Sequence, residues 1–398
     1  MKSYEIKQLD NDNVMQTYAR FDVAIERGEG ATLYSPEGKE YIDFSSGIGV
    51  NSIGYGNKKW ADAIYAQAMK LQHISNLYYS EPYVKLAETL TKRTGMKNVF
   101  FANAGADANE GMIKLARKYS FDKYGKDKKR NTIISLVQSF HGRTITTLAA
   151  TGQETFHNYF FPFTEGFKHV AANDIQALKS ELTDDVCAVL IEFIQGEGGV
   201  IPLDVGYINE VADLCAGKDV LLLADEVQTG VGRTGTLFAF QRFGVKPDVL
   251  SFAKGIAGGL PLGGFMANEK CSEVLVAGTH ATTLGGNPVA AAGAVEVLNQ
   301  LDEKALKEVV NKGEYIKEQI KNWNIPYVGE IRGMGLMIGV SLKDKTPRNI
   351  AQTCIDNGLL ILTAGADTLR ILPPLTISYE ELDKGLKILK TTLEDAKA

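Results

Sequence analysis

No run in this chain approaches the roughly 18 consecutive apolar residues that a membrane-spanning helix requires. Its first residues, Met1-Lys2-Ser3-Tyr4-Glu5, lack an apolar signal core, so the expectation is a soluble, cytoplasmic protein. Positive charge is also short: 43 Lys and Arg face 48 Asp and Glu, a net charge of −5. That leaves no basic excess for a nucleic-acid partner. The four cysteines (Cys187, Cys215, Cys271 and Cys354) lie far apart, and the first three sit in or beside apolar runs. They are expected to be reduced core thiols, neither a disulfide framework nor a zinc site. The five histidines show no metal-ligand spacing. Internal repeats and low-complexity segments are missing as well. What remains is a globular chain of 398 residues, long enough for two domains that share a cleft.

Forty glycines and a regular alternation of elements are what the chain does have. Residues 1–50 read as an extended N-terminal segment, with a turn at Ser35-Pro36-Glu37-Gly38, and are expected to pack with a small domain. Helical periodicity covers 60–71 and 82–94. A short strand at 99–101 is followed by small residues and a helix through 118. Strands at 132–137, 186–194, 220–224 and 249–253 then alternate with helices, one of them at 206–216. Alternation of this kind predicts an α/β fold with a mostly parallel central sheet covered by helices. The pattern changes near Asn287. A long helical stretch at 288–323, broken near Leu301-Asp302, precedes short strands at 335–341, 359–363 and 369–372. The expected division is a large domain at 51–287 and a smaller α+β domain at 288–398.

Two of the apolar strands end on a charge. Leu221-Leu222-Leu223-Ala224 runs into Asp225, and Val249-Leu250-Ser251-Phe252-Ala253 runs into Lys254. A charge at the C-terminal end of a core strand points into the crevice where α/β sheets bind ligands. A carboxylate and an amine so placed suit pyridoxal phosphate, an aldehyde that forms a Schiff base with lysine and keeps a protonated ring nitrogen near aspartate. Taken singly, Lys254 also fits a surface lysine and Asp225 a turn cap; the pair favours the cofactor. Val227 is a candidate for one ring face, and Gln228 for a donor to the phenolic oxygen. Asn103-Ala104-Gly105-Ala106-Asp107, between a strand and a helix, is the best phosphate cradle. In Ser139-Phe140-His141-Gly142-Arg143-Thr144, Phe140 suits the second ring face and Arg143 a clamp on a substrate carboxylate. Arg370, flanked by apolar residues, wants an anion, and Glu197 is a candidate internal one. Either arginine alone fits equally well as a tie between two loops. Gly196-Glu197-Gly198-Gly199 lacks the spacing of a dinucleotide fingerprint, which disfavours a dehydrogenase.

With these motifs in order along nearly its whole length, the chain resembles the class III (subgroup II) pyridoxal-phosphate aminotransferases. The resemblance extends to Gly47–Asn51, 73–79 and Thr282-Thr283-Leu284-Gly285-Gly286-Asn287. It implies a fold type I transferase in which Lys254 carries the cofactor and Asp225 partners the ring nitrogen. Gly105 and Ala106 would cradle the phosphate, Phe140 would stack on the ring, and Val227 and Gln228 would hold its other side. Thr283 would reach the phosphate of a neighbouring subunit, completing the site across a homodimer, and Thr282 would contact substrate. Arg143 would hold the distal α-carboxylate of N-acetylornithine. Arg370 would take the carboxylate beside the reacting carbon of glutamate or 2-oxoglutarate, with Glu197 pairing it otherwise.

The implied reaction moves the ω-amino group of N-acetylornithine to 2-oxoglutarate. Ornithine, succinylornithine and 4-aminobutyrate remain open as donors, and an aminomutase or a catalytically silent protein of the same fold are the further alternatives. The chain departs from the family pattern at Ala104, where a serine is usual, at Phe193, and at Ala281 and Leu284 around the threonine pair.

Overall fold

A computed structural model describes residues 1–396. Seven strands build the central sheet: β1 (Asn98–Ala102), β2 (Thr132–Leu136), β3 (Phe167–Val170), β4 (Val186–Ile191), β5 (Leu221–Asp225), β6 (Val249–Phe252) and β7 (Gly263–Ala267). Their order across the sheet is β1-β7-β6-β5-β4-β2-β3. Every pairing is parallel except those of β7, which runs antiparallel to both β6 and β1. β4 and β5 are buried at every residue. A parallel strand covered by helices on both faces has no wet side, so it must be apolar throughout. That is why Val-Cys-Ala-Val-Leu-Ile and Leu-Leu-Leu-Ala form the middle of the sheet.

Helix Gly105–Tyr124 packs on β6 and β7, and helix Val205–Lys218 packs on β5. The expected break near Leu301 is present: one helix spans Pro288–Gln300 and the next Glu303–Asn322. Asp302 caps the second by accepting from Ala305 N. The first opens with proline behind the Asn287 cap and packs against helices Lys58–Lys70 and Glu81–Thr94. A second, antiparallel sheet orders Val328–Met334, Met337–Leu342, Thr368–Ile371 and Leu362–Ala364. The hairpin Thr32–Tyr34 and Glu40–Asp43 turns at Ser35–Gly38, as expected, and adds Leu359–Leu360 as a parallel neighbour. Among the described residues no helix is long and apolar enough to cross a membrane.

Three local expectations change. The N-terminus is not wholly extended: Ser3–Asn13 is helical, closed at its start by Glu5 Oε2 accepting from Lys2 N at 2.7 Å. It buries no residue, so it carries no amphipathic period to read. β4 stops at Ile191 instead of 194; Ile194–Gln195 leaves the central sheet and pairs antiparallel with Ile201–Pro202. β3 and β7 went unmarked; β7 opens on two glycines, which read as loop.

The helix Gly105–Tyr124 lies close enough to β7 that a Cβ on Gly111 would overlap the ring of Phe265. Alanine at a helix interior ordinarily gains roughly 1 kcal/mol over glycine, but overpacking a core costs about 1–3 kcal/mol. Gly111→Ala is therefore expected to be net destabilising. A urea midpoint equal to or above wild type would contradict this packing.

Candidate active site

Five of the central strands deliver side chains to one cavity of about 470 Å³ at their C-terminal ends. β1 leads to Asn103–Ala106, β2 to Phe140–Arg143, β4 to Glu192 and Glu197, β5 to Asp225–Gln228, and β6 to Lys254. Ala224 pairs with Ile191 and Asp225 with Ser251 in the sheet. The first charges after the apolar runs therefore emerge side by side.

Asp225 lies at the floor and is 4% exposed. Its Oδ2 faces His141 Nδ1 at 2.8 Å and accepts from Asn109 Nδ2 at 2.7 Å. Its Oδ1 accepts from Val227 N at 3.0 Å. Asn109 Nδ2 also donates to His141 O at 2.7 Å, so the two partners of the carboxylate hold each other. A buried carboxylate fixed in this way presents a stationary negative charge to whatever occupies the cavity.

Lys254 is half-buried at the cavity wall and takes φ 45°, a left-handed conformation that side-chain-bearing residues rarely adopt. Such strain persists only where the surroundings enforce it. Here Ser52 Oγ donates to Gly255 O at 2.8 Å and Trp60 Nε1 to Ala257 O at 3.0 Å. Burial pushes the Lys254 amine below the ordinary lysine range; Glu197 and Asp225 oppose the shift and Arg370 adds to it.

Arg370 projects from the second sheet and is 3% exposed. It meets Glu197 through two parallel contacts, Nη1 to Oε1 at 2.6 Å and Nη2 to Oε2 at 3.1 Å. Gln228 joins them, donating to Glu197 Oε1 and accepting from Arg370 Nη1, each at 3.2 Å. Burial alone would raise the Glu197 carboxyl, but Arg370, Lys254 and Gln228 together outweigh it and hold the group below the usual range. Arg143 is different. It is exposed at the cavity mouth with its guanidinium 3.9 Å over the Phe156 ring, and among the described residues it has no carboxylate partner.

Helix Gly105–Tyr124 starts at the cavity with no side chain capping its N-terminus. Its first N–H groups are left for an anion. Gly105 is required by proximity, since a Cβ there would meet Val227 Cγ1 at 2.8 Å.

Ten of the twelve residues singled out in the sequence gather here: nine on the cavity wall and Arg370 behind Glu197. Thr282 and Thr283 do not. Thr282 Oγ1 accepts from Asn103 Nδ2 at 3.3 Å just outside, and Thr283 is exposed. Gln228, expected to face a cofactor oxygen, is engaged with the Glu197–Arg370 pair. Three further residues, Asn109, His141 and Glu192, stand in the cavity without having been assigned a role. Glu192, like Asp225, is a charge at the end of an apolar strand, but the apolar Phe193 and Ile194 after it place it inside the strand expected at 186–194.

A stationary carboxylate, an amine of lowered basicity and an uncapped helix N-terminus around one cleft fit a phosphorylated aldehyde with a ring nitrogen. This is the site of an enzyme that works on amines through such a cofactor. The chain belongs to the class-III aminotransferase family, whose model matches residues 14–393, and the family's cofactor is pyridoxal phosphate. The chain is similar to an acetylornithine aminotransferase of Haemophilus ducreyi, 50% identical over 397 residues, which span 99% of this chain and 100% of that one. It is also similar to a succinylornithine transaminase of Photorhabdus laumondii, 41% identical over 374 residues, or 92% of each chain. The crystal structure of an ornithine aminotransferase from Toxoplasma gondii matches with a TM-score of 0.95 at 32% identity, covering 99% of this chain and 96% of that one. The α/β architecture is thus that of the fold type I transferases.

In the cofactor-free protein the Lys254 amine is expected to titrate below the ordinary 10.5, because burial disfavours its charged form. NMR of reductively methylated lysines reads this directly. A midpoint at or above 10.5 would contradict the site as described.

Proposed function

We propose that this aminotransferase moves the ω-amino group of N-acetylornithine to 2-oxoglutarate, giving the semialdehyde and glutamate, and that it works as a cytoplasmic homodimer. The observation that carries the reading is the contrast between two arginines: Arg370 is held by Glu197 and Arg143 is free at the mouth. An ω-amine donor brings one carboxylate, far from its reacting nitrogen, and Arg143 is available for it. Glutamate brings a second carboxylate beside its reacting carbon, and Arg370 is available only when Glu197 gives it up. Exchanging one buried anion for another leaves neither charge stranded.

When bound, pyridoxal phosphate supplies an aldehyde that takes the amino group and a ring that accepts the electron pair released at the substrate carbon. The chain's own residues do the rest. Lys254 Nζ, whose neutral form burial favours, would take the proton from the substrate carbon and return one to the cofactor side. Asp225, fixed by His141 and Asn109, would keep a proton on the ring nitrogen. Phe140 and Val227 would bound the ring's two faces and the amides of Gly105 and Ala106 would hold the phosphate, while Gln228 would reach the ring oxygen only by leaving the Glu197–Arg370 pair. Thr282, just outside the cavity against Asn103, would be a substrate contact.

The exposed Thr283 fits a role in a second copy's site. Around it the surface carries exposed apolar side chains, Leu284, Leu77, Tyr78 and Tyr79 among them, and Asn76 Nδ2 ties that segment to Gly285 O at 2.9 Å. Such a patch supports self-association. Sedimentation as a monomer at assay concentration would remove this part of the reading. The four cysteines are free and buried, which supports a reducing compartment. The division at residues 287 and 288 is likewise proposed as the boundary of the large and small domains.

The test is the visible spectrum of the purified protein during single additions of N-acetylornithine, ornithine, 4-aminobutyrate and glutamate. The cofactor band is expected to fall fastest with N-acetylornithine and to return with 2-oxoglutarate. A faster response to another amine would reassign the donor; no band after added pyridoxal phosphate would overturn the function. In Glu197→Gln, Arg370 loses its internal anion. The same series is then expected to favour glutamate over N-acetylornithine relative to wild type, and equal effects on both would remove the exchange.

A further inference from the structure

Glu192 is 5% exposed and sits in the cavity one residue beyond the end of β4. Among the described residues no cation pairs with it. Its two oxygens are instead divided between two turns. Oε1 accepts from Phe140 N at 2.9 Å, and Oε2 accepts from Gly196 N at 3.0 Å. The first turn carries the Phe140 ring and leads to Arg143; the second carries Glu197. Each turn is anchored elsewhere on its outer side. Thr151 Oγ1 accepts from His141 N at 3.0 Å, Glu197 O accepts from Gly365 N at 2.8 Å, and Gln195 Nε2 donates to Val137 O at 2.8 Å. The Gln195–Val137 bond ties the bases of the two turns, and on the cavity side the Glu192 carboxylate joins Phe140 to Gly196.

Stability alone gives a poor reason for a carboxylate here. Burial pushes its acid form up to about 7, with Asp225 adding to the shift and His141 opposing it. A buried anion without a cation is a cost to folding. What an anion supplies that an amide does not is two acceptors: a glutamine has one oxygen to accept with, and its NH2 group would face the other backbone N–H.

We propose that Glu192 is a positioning residue which sets the Phe140 turn and the Glu197 turn relative to each other. Through it, the grip on the cofactor ring and the choice of substrate carboxylate are fixed together. The proposal rests on the aminotransferase reading above, and the wild-type protein tests that reading separately.

The experiment compares wild type, Glu192→Gln and Glu192→Asp. Cofactor-free protein is titrated with pyridoxal phosphate, followed by absorbance, and kcat and KM are then measured for N-acetylornithine and for glutamate. Losing one hydrogen bond to a charged group is worth roughly tenfold or more in an equilibrium constant. Glu192→Gln is therefore expected to weaken pyridoxal phosphate binding by about tenfold and to shift the absorption maximum of the bound cofactor. KM for the two amino donors should rise by unequal factors. Glu192→Asp keeps two acceptors at shorter reach and should recover part of each loss; it supplies the same readouts if Glu192→Gln does not fold. Cofactor affinity, spectrum and both KM values within twofold of wild type would overturn the proposal, as would a loss of thermal stability without these changes. Absence of cofactor binding or transamination in the wild type would instead overturn the aminotransferase reading.

Discussion

The bidentate contact between Arg370 and Glu197 is the constraint on which the rest of the site depends. It joins a strand of the antiparallel sheet to a turn of the parallel one, beside an apolar seam in which Ile194 and Val200 pack on Met337 and Leu372. An apolar pair in place of Arg370 and Glu197 would be worth more to stability, because two desolvated charges seldom recover their hydration. It would also be unable to open for an incoming carboxylate. The same pair draws in Gln228 and fixes the charge felt by Lys254. Removing the guanidinium or the carboxylate would thus alter more than substrate recognition.

The other side of the cleft is built on a different balance. Glu192, Glu197 and Asp225 put three carboxyl groups around one cavity, against Arg370 and Lys254. Each is kept by a different device: Asp225 by side-chain and backbone donors, Glu197 by a guanidinium, and Glu192 by two backbone amides. Their chemistry differs accordingly, although all three residues follow or lie near the ends of neighbouring strands. The environment supplied by the fold, more than the residue type, separates a fixed anion from an exchangeable one.

Much of this arrangement was legible in the sequence because the central strands are parallel. Strands with no wet face read as unbroken apolar runs, and the charge that ends each run stands out; Asp225 and Lys254 were found in this way. Glu192 was hidden because Phe193 and Ile194 follow it, which made the strand look longer than it is. His141 and Asn109 are polar residues in short turns or helices, and nothing local marks them as partners of a carboxylate far along the chain. The helix Ser3–Asn13 escaped because it buries nothing, and β7 because its two glycines resemble a loop. The resemblance to the class III aminotransferases supplied the roles of Arg143 and Thr283, which composition and spacing alone left open.

The antiparallel strand β7 has a consequence for how the molecule comes into being. β1, whose end opens onto the uncapped helix, pairs with β7 and with no other strand of the sheet. A nascent chain that has not yet reached Gly263 therefore has β6 for the helix at Gly105 to pack on, but lacks β7, on which that helix also packs and which is the one sheet partner of β1. Lys254 emerges shortly before β7, and Arg370 later still. Long-range pairings of this kind form slowly, and the anion cradle, the amine and the closing arginine come together only once segments far apart in the chain have all been made. The cradle at the end of β1 and the Lys254 amine are therefore set against each other across one sheet only in a chain made past Ala267.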